Sequence, residues 1–217
     1  MHIWVISELY YPEETSTGYF LTKIAEGLAQ KYKVDVLCGK PTYAAKGIPT
    51  KPFEIHNQVN VRRVWSTTFD KDNLFLRMIN VLTFSFSVLI WSLLFIKKID
   101  KVLVVTNPPF LPYIIAFVCF FKRAKCLLLV HDVYPEVLVA TGFFKADSVL
   151  IKAISGLTKI LYRSVKKVIV LGRDMQSLVQ KKIQKTDYAP VIIPNWGDIE
   201  LVTPQERKDN KQLEDFK

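Results

Sequence analysis

A histidine followed directly by an aspartate closes an apolar run at residues 127–132, where His131 and Asp132 come after Val130. An imidazole can donate to a sugar hydroxyl or a phosphate oxygen, and a neighbouring carboxylate can fix its orientation. Glu136 stands behind a proline in the turn that follows. We predict catalytic roles for His131 and Asp132 and a substrate-binding role for Glu136. The alternative is a histidine that serves only the local packing.

An acid, a set of hydroxyl residues and a glycine follow the first apolar run of the chain. Glu8 comes directly after the run, and the segment 15–19, Thr-Ser-Thr-Gly-Tyr, opens an amphipathic stretch. Backbone N–H groups at a helix N-terminus can hold an anion. The alternative is an ordinary helix cap, which Ser and Thr also supply. The residues predicted here to bind substrate are Glu8, Thr17, Gly18 and Tyr19.

Two later turns add a cation and an amide. Arg173 follows one apolar run, and Asn195 follows the last one. Ligands of open parallel sheets bind outside the carboxyl ends of the strands, so both residues are predicted to bind substrate. The sequence contains no G-x-G-x-x-G or Walker A phosphate loop and no Ser/His/Asp order typical of a hydrolase. NAD dehydrogenases, P-loop NTPases and such hydrolases are therefore poor candidates.

Strands and helices that alternate along the chain must position these residues. Apolar runs such as 102–105 and 127–130 are continuous, as expected for strands buried on both faces. This order predicts an α/β fold, a Rossmann-like parallel sheet with helices on both faces. We expect one domain at 1–202 and a charged linker or tail at 203–217, leading towards a further domain. The predicted strands are 2–7, 33–38, 59–65, 101–106, 126–131, 167–171 and 191–193, and the predicted helices are 17–32, 78–96, 109–121, 147–164 and 174–185.

The composition is that of a folded, basic chain. Half of its 217 residues are hydrophobic, and 30 Lys and Arg exceed 20 Asp and Glu by 10. Intrinsic disorder is excluded. No nucleic-acid-binding motif is present, and the three histidines lie too far apart for a zinc site, so no nucleic acid, metal or cofactor is expected. The three cysteines lie in apolar runs, which predicts buried free thiols in a reducing compartment.

Two apolar runs, 78–96 and 109–121, end in basic residues. The first is about as long as the roughly 20 residues that span a bilayer. It is interrupted by five polar residues on more than one face, so we favour a buried or membrane-dipping helix over a transmembrane one. The N-terminus lacks the basic region of a signal peptide. These features predict a cytoplasmic protein, peripheral on the inner face of the cell membrane, with an anionic membrane surface as partner.

Three motifs in this order resemble the N-terminal half of a GT-B glycosyltransferase: the first strand with its Tyr-Pro…Thr-Gly run, the His131 turn with Tyr-Pro-Glu, and residues 193–198, Ile-Pro-Asn-Trp-Gly-Asp. The resemblance is to family 4, in a bacterial surface-polysaccharide branch similar to fucosamine transferases. It implies a domain that binds a lipid-linked glycan acceptor, and transfer from a nucleotide sugar with retention and without metal. By position, Gly18 matches a glycine facing the donor phosphates, His131 a histidine near the transferred sugar, and Asn195 the segment leading to the cleft.

The resemblance also implies a second half that this sequence does not contain. Family members are about twice as long, and their donor half carries a basic pair and a Glu-x7-Glu element that stabilise the leaving nucleotide diphosphate. We therefore expect an acceptor half that needs a separate donor half for turnover. The alternatives are a non-catalytic membrane-associated binding subunit, a truncated inactive remnant, or a complete small α/β enzyme with His131 as base and Asp132 as orienter.

Overall fold

The computed structural model describes residues 1–43, 45–70, 72–142, 144–184 and 188–197. The predicted linker at 203–217 and the last residue of the predicted helix 174–185 lie outside these ranges. The predicted boundary at residue 202 lies outside them as well, so the proposed domain division stays a prediction.

One sheet of eight strands organises the described part of the chain, in the order β3-β4-β2-β1-β5-β6-β7-β8. Neighbouring strands run parallel except β3 and β4. The α/β class and the parallel core predicted from the sequence are confirmed. The strands are β1 (His2–Ile6), β2 (Lys33–Cys38), β3 (Phe53–His56), β4 (Val59–Arg63), β5 (Lys101–Val105), β6 (Lys125–Val130), β7 (Lys167–Val170) and β8 (Val191–Ile192).

The antiparallel edge strand β3 was not predicted. It pairs with β4 across Asn57 and Gln58, whose φ angles of 47° and 67° suit a tight two-residue hairpin turn. Its four residues alternate between exposed and half-buried. An edge strand of this kind leaves no continuous apolar run in the sequence, which is why the pattern missed it.

Six helices connect the strands of the described part of the chain, and most match the prediction to within a few residues. The short helix after the His131 turn was not predicted, since its five residues are too few for a helical apolar period. The helices are α1 (Ser16–Ala29), α2 (Leu74–Phe95), α3 (Leu111–Lys122), α4 (Glu136–Ala140), α5 (Val149–Ser164) and α6 (Arg173–Ile183).

Alternate residues of the strands supply two apolar layers. In β1, Ile3 and Val5 join the layer that contains Leu21 of α1, whereas Trp4 and Ile6 join the layer that contains α2, α3, α5 and α6. Helices therefore cover both faces of the sheet, as predicted. Each fully buried Val, Leu or Ile side chain in these layers contributes about 1.5–3 kcal/mol to stability.

Helix α2 buries both apolar and polar side chains. Phe84 and Val88 join the core layer, and the polar residues Asn80, Ser85 and Ser92 are buried as well. Its outer face carries an exposed apolar stripe at helical spacing. We call this the α2 stripe; its residues are Phe75, Met78, Leu82, Phe86, Ile90 and Leu93. In length and composition α2 suits a membrane span, the one helix of this kind in the described ranges.

The cysteines confirm the prediction of buried free thiols. Cys38, Cys119 and Cys126 are all unpaired and buried. Burial raises the pKa of the Cys38 thiol to about 12. Since the thiolate is the reactive form, this thiol is inert in the folded chain at neutral pH.

Candidate functional site

Two predicted site residues from distant parts of the chain meet at the carboxyl edge of the sheet. His131 follows β6, and Thr17 lies in the first turn of α1, which follows β1. The hydroxyl oxygen of Thr17 is 3.4 Å from Nδ1 of His131. The parallel sheet brings them together because β1 and β6 flank β5 and end at the same edge.

A threonine that sequence reasoning missed holds the His131 turn. Thr106 is buried at the end of β5, the strand next to β6. Its hydroxyl oxygen accepts hydrogen bonds from the backbone N–H of His131 at 3.0 Å and of Asp132 at 3.1 Å. Backbone donors at a strand end need such partners when they leave the ladder. The available signal was a hydroxyl residue at the end of a neighbouring buried strand.

The His131 imidazole is largely shielded from water. Burial lowers its pKa below the ordinary 6.5, and the negative charge of Asp132 opposes this only in part. The ring is therefore neutral at pH 7. Its Nε2 is buried and has no hydrogen-bond partner among the described residues. When Nδ1 accepts from the Thr17 hydroxyl, Nε2 carries the proton and can donate to a ligand oxygen.

The loop before α1 is packed around Gly18. A Cβ on this glycine would collide with the backbone carbonyl of Glu13 and crowd the Thr15 side chain. Thr15 caps α1 by accepting from the Gly18 N–H at 3.3 Å. The buried Glu13, which sequence reasoning also missed, accepts through Oε1 from the N–H of Thr42 at 2.5 Å and of Tyr43 at 2.6 Å. Gly18 thus has a packing role as well as its place in the predicted site.

Three other predicted residues lie on the same edge. Asp132, Arg173 and Asn195 follow β6, β7 and β8 in turn, and all three are exposed. Asp132 acts on the imidazole through its charge, while the contact to Nδ1 comes from Thr17. Trp196, next to Asn195, packs edge-on against Phe20 of α1, with ring centroids 5.1 Å apart. This contact brings the loop after β8 to the start of α1.

Glu8 and Tyr19 line the β1 side of the edge. The backbone carbonyl of Glu8 accepts from the Gly39 N–H at 3.0 Å, and its side chain lies beside that glycine. Tyr19 packs edge-on against Phe20, with ring centroids 5.4 Å apart.

Glu136 is engaged with a different group. Its Oε1 lies 2.9 Å from Nζ of Lys182, which also donates to the Tyr134 carbonyl at 3.2 Å. It lines a cavity of about 360 Å³ beside α5 and α6, together with Lys159 and Lys181. The described contacts therefore place Glu136 with α6 and not with Thr17 and His131.

No group of three or more His, Cys, Asp or Glu side chains that could hold a metal ion occurs within the described ranges. The chemistry available at this edge is that of a neutral imidazole, hydroxyls, an exposed guanidinium and an amide. Such groups bind sugar hydroxyls and phosphate oxygens.

Comparison with known proteins finds sequence similarity to a probable glycosyltransferase. No protein family model matches the chain. It is 31% identical over 209 residues to the "Probable glycosyltransferase WbjE" of Pseudomonas aeruginosa, which covers 95% of this chain and 50% of that protein.

Two solved structures share the fold at low sequence identity. Sucrose-phosphate synthase from Thermosynechococcus elongatus superposes with a TM-score of 0.57 at 13% identity, covering 94% of this chain and 50% of that one. The α,α-trehalose 6-phosphate synthase from Burkholderia multivorans gives 0.52 at 8% identity, covering 88% and 47%. The chain spans about half the length of each of these proteins. It thus has the α/β fold found in half of these GT-B enzymes and is similar in sequence, over half the relative's length, to a probable glycosyltransferase.

Proposed function

We propose that this chain is the acceptor-side half of a glycosyltransferase, which transfers a hexosyl group from a nucleotide sugar to a lipid-linked or polysaccharide acceptor. The observation that carries the proposal is the contact between Thr17 and His131 at the carboxyl edge. It leaves a neutral imidazole with an unpartnered Nε2 where ligands of such sheets bind. The similarity to a probable glycosyltransferase supports the same reading.

Each site residue has a role that follows from its chemistry. The Nε2–H of His131 donates to a hydroxyl of the transferred sugar, and Thr17 holds the ring. Asp132 acts on the imidazole through its negative charge, which partly opposes the effect of burial on the pKa of His131. Arg173 and Asn195 bind phosphate and sugar oxygens, and Gly18, Tyr19 and Glu8 shape the opposite wall. Glu136 acts on substrate through the α6 side of the site, where it pairs with Lys182.

The donor is bound by a second half, in the same polypeptide or in a separate one. In family 4 enzymes of bacterial surface-polysaccharide synthesis, and in the fucosamine-transferase branch within it, that half supplies the cations for the leaving diphosphate. Transfer proceeds with retention and needs no metal in this proposal. The acceptor half alone should not turn over, because it lacks those cations.

Membrane association is part of the same proposal. The α2 stripe exposes large apolar side chains, among them Phe75 at 72% and Phe86 at 64% exposure. Lys97 and Lys98 follow the helix and are exposed. Apolar side chains beside basic ones suit an anionic bilayer surface. We place the protein on the cytoplasmic face of the cell membrane as a peripheral protein.

The direct test is sugar transfer by reconstitution. The chain is combined with the half of WbjE that it does not match, and transfer from nucleotide sugars to undecaprenyl-diphosphate-linked sugar is measured. Transfer is expected from the pair and from neither half alone, and His131→Ala should remove it. Transfer by the isolated chain would contradict the proposal that a second half binds the donor. Acceptor binding without transfer in any pairing favours the second candidate, a non-catalytic membrane-associated binding subunit, for which the α2 stripe is the supporting observation.

A further inference from the structure

A second cavity lies at the carboxyl ends of β2 and β4, on the same edge as His131. Its volume is about 430 Å³, and it is lined by residues 40–42, 46–50 and 68–69. Lys40 and Lys46 are among the lining residues, and both carry an ammonium group. Hydroxyls also line it, from Thr42, Thr50 and Thr68. Ammonium and hydroxyl groups together suit phosphate oxygens.

Two buried charged side chains hold the lysine-bearing loop at both ends. Glu13, 3% exposed, accepts from the N–H groups of Thr42 and Tyr43. Arg63, 6% exposed, donates from Nη1 to the carbonyl of Lys51 at 3.0 Å. Hydrogen bonds to buried charged groups are among the stronger ones in proteins, so they hold this wall of the cavity in place.

The opposite wall is fixed to α2. The amide of Asn80 accepts from the Phe69 N–H and donates to the Phe69 carbonyl, both at 2.9 Å. The hydroxyls of Thr67 and Thr83 are 2.8 Å apart. Asn80 and Thr83 of α2 therefore hold one cavity wall, while the outer face of the helix carries the α2 stripe.

We infer that this cavity binds the diphosphate of a polyprenyl-linked sugar, with the lipid chain lying along the α2 stripe. The inference rests on the proposed function for the acceptor's class and adds where its phosphates bind. Lys40 and Lys46 pair with the phosphates from one wall. Helix α2 joins that wall to the bilayer, so the acceptor keeps its lipid in the membrane while its headgroup enters the edge of the sheet.

Vesicle co-sedimentation of the full chain tests this site. One set of phosphatidylcholine vesicles carries undecaprenyl diphosphate, and a second carries phosphatidylglycerol at equal total charge. The test variant is Lys40→Gln/Lys46→Gln. The matched control, Lys31→Gln/Lys33→Gln, removes two exposed lysines near the amino end of β2.

The test variant should bind undecaprenyl-diphosphate vesicles about tenfold more weakly, while binding to phosphatidylglycerol changes less than about twofold. Inorganic pyrophosphate should compete with the wild-type chain for the first vesicles. No loss in the test variant, an equal loss on both vesicles, or an equal loss in the control variant would each overturn the site. Sugar transfer is not required, so this result and the reconstitution above can fail independently.

Discussion

The backbone carbonyl of Glu13 occupies the space that a Cβ on Gly18 would need. The same Glu13 holds the backbone of residues 42–43 through its carboxylate. The start of α1 and the loop after β2 are therefore one packed unit. A change at Gly18 must move Glu13, and the loop must follow it.

Gly18→Ala is expected to destabilise the chain by about 1–3 kcal/mol, the usual cost of forcing an extra methyl into a packed site. The midpoint of urea unfolding measures this. Gly27→Ala is the matched control on the same helix, because nothing lies within 4 Å of a Cβ at Gly27. There the change should stabilise by about 0.5–1 kcal/mol through helix propensity. Equal effects at the two glycines would contradict the packing argument.

Thr106→Val is expected to cost about 1–3 kcal/mol, because it removes the acceptor of two backbone N–H groups at the His131 turn. The same variant should weaken sugar transfer by the reconstituted pair, since the imidazole loses its fixed position. Thr141→Val is the control: its hydroxyl is exposed, and its loss should stay within about 0.5 kcal/mol. Similar losses of stability in both variants would argue against a positioning role.

The sequence predicted the parallel core, and among its candidate site residues were Thr17 and His131, which the structure brings together at the edge of the sheet. Continuous apolar runs such as 102–105 favour strands buried on both faces, and His131 follows one such run. What the pattern could not provide was the identity of the residues that hold the site. Thr106 bonds the turn after the neighbouring strand β6, and Glu13 bonds the loop after β2. Such contacts depend on the strand order, which the apolar pattern does not show.

Two further features of the structure could not be predicted from the apolar pattern. Asn80 and Thr83 of α2 bind the segment 67–69, a role that a rule of apolar residues inward cannot anticipate. Glu136 lies five residues beyond the end of the predicted strand 126–131, and the short helix that begins there brings it to Lys182.

His131 should make stability depend on pH in the acid range. Its pKa is lower in the folded chain than its ordinary 6.5, so the unfolded chain binds more protons below that pH. Its contribution to stability is present above about pH 6.5 and is lost as pH falls through the folded pKa. We expect the unfolding free energy of the wild type to rise with pH in this window relative to His131→Gln. Parallel curves for the two proteins would contradict the burial of the imidazole.

The three cysteines should resist thiol reagents in the folded chain. All are buried, and burial raises the pKa of Cys38 to about 12. Reaction with a chromogenic disulfide at pH 8 should be at least about a hundredfold slower than in denaturant, since both access and thiolate are lacking. Fast reaction of one thiol in the native protein would contradict its burial and would show that the apolar layer around it opens to the reagent.

The α2 stripe should govern membrane binding. Leu82→Ser/Phe86→Ser removes two apolar side chains of the outer face that are 57% and 64% exposed. Each apolar side chain of this size contributes about 1.5–3 kcal/mol when it leaves water, so partition into phosphatidylglycerol vesicles should fall at least about tenfold. Unfolding free energy should hardly change. Ile55→Ser is the control, because Ile55 is similarly exposed, at 68%, but lies on β3 and not on α2. This variant should partition like the wild type. If the two variants partition equally, the membrane does not dock at α2.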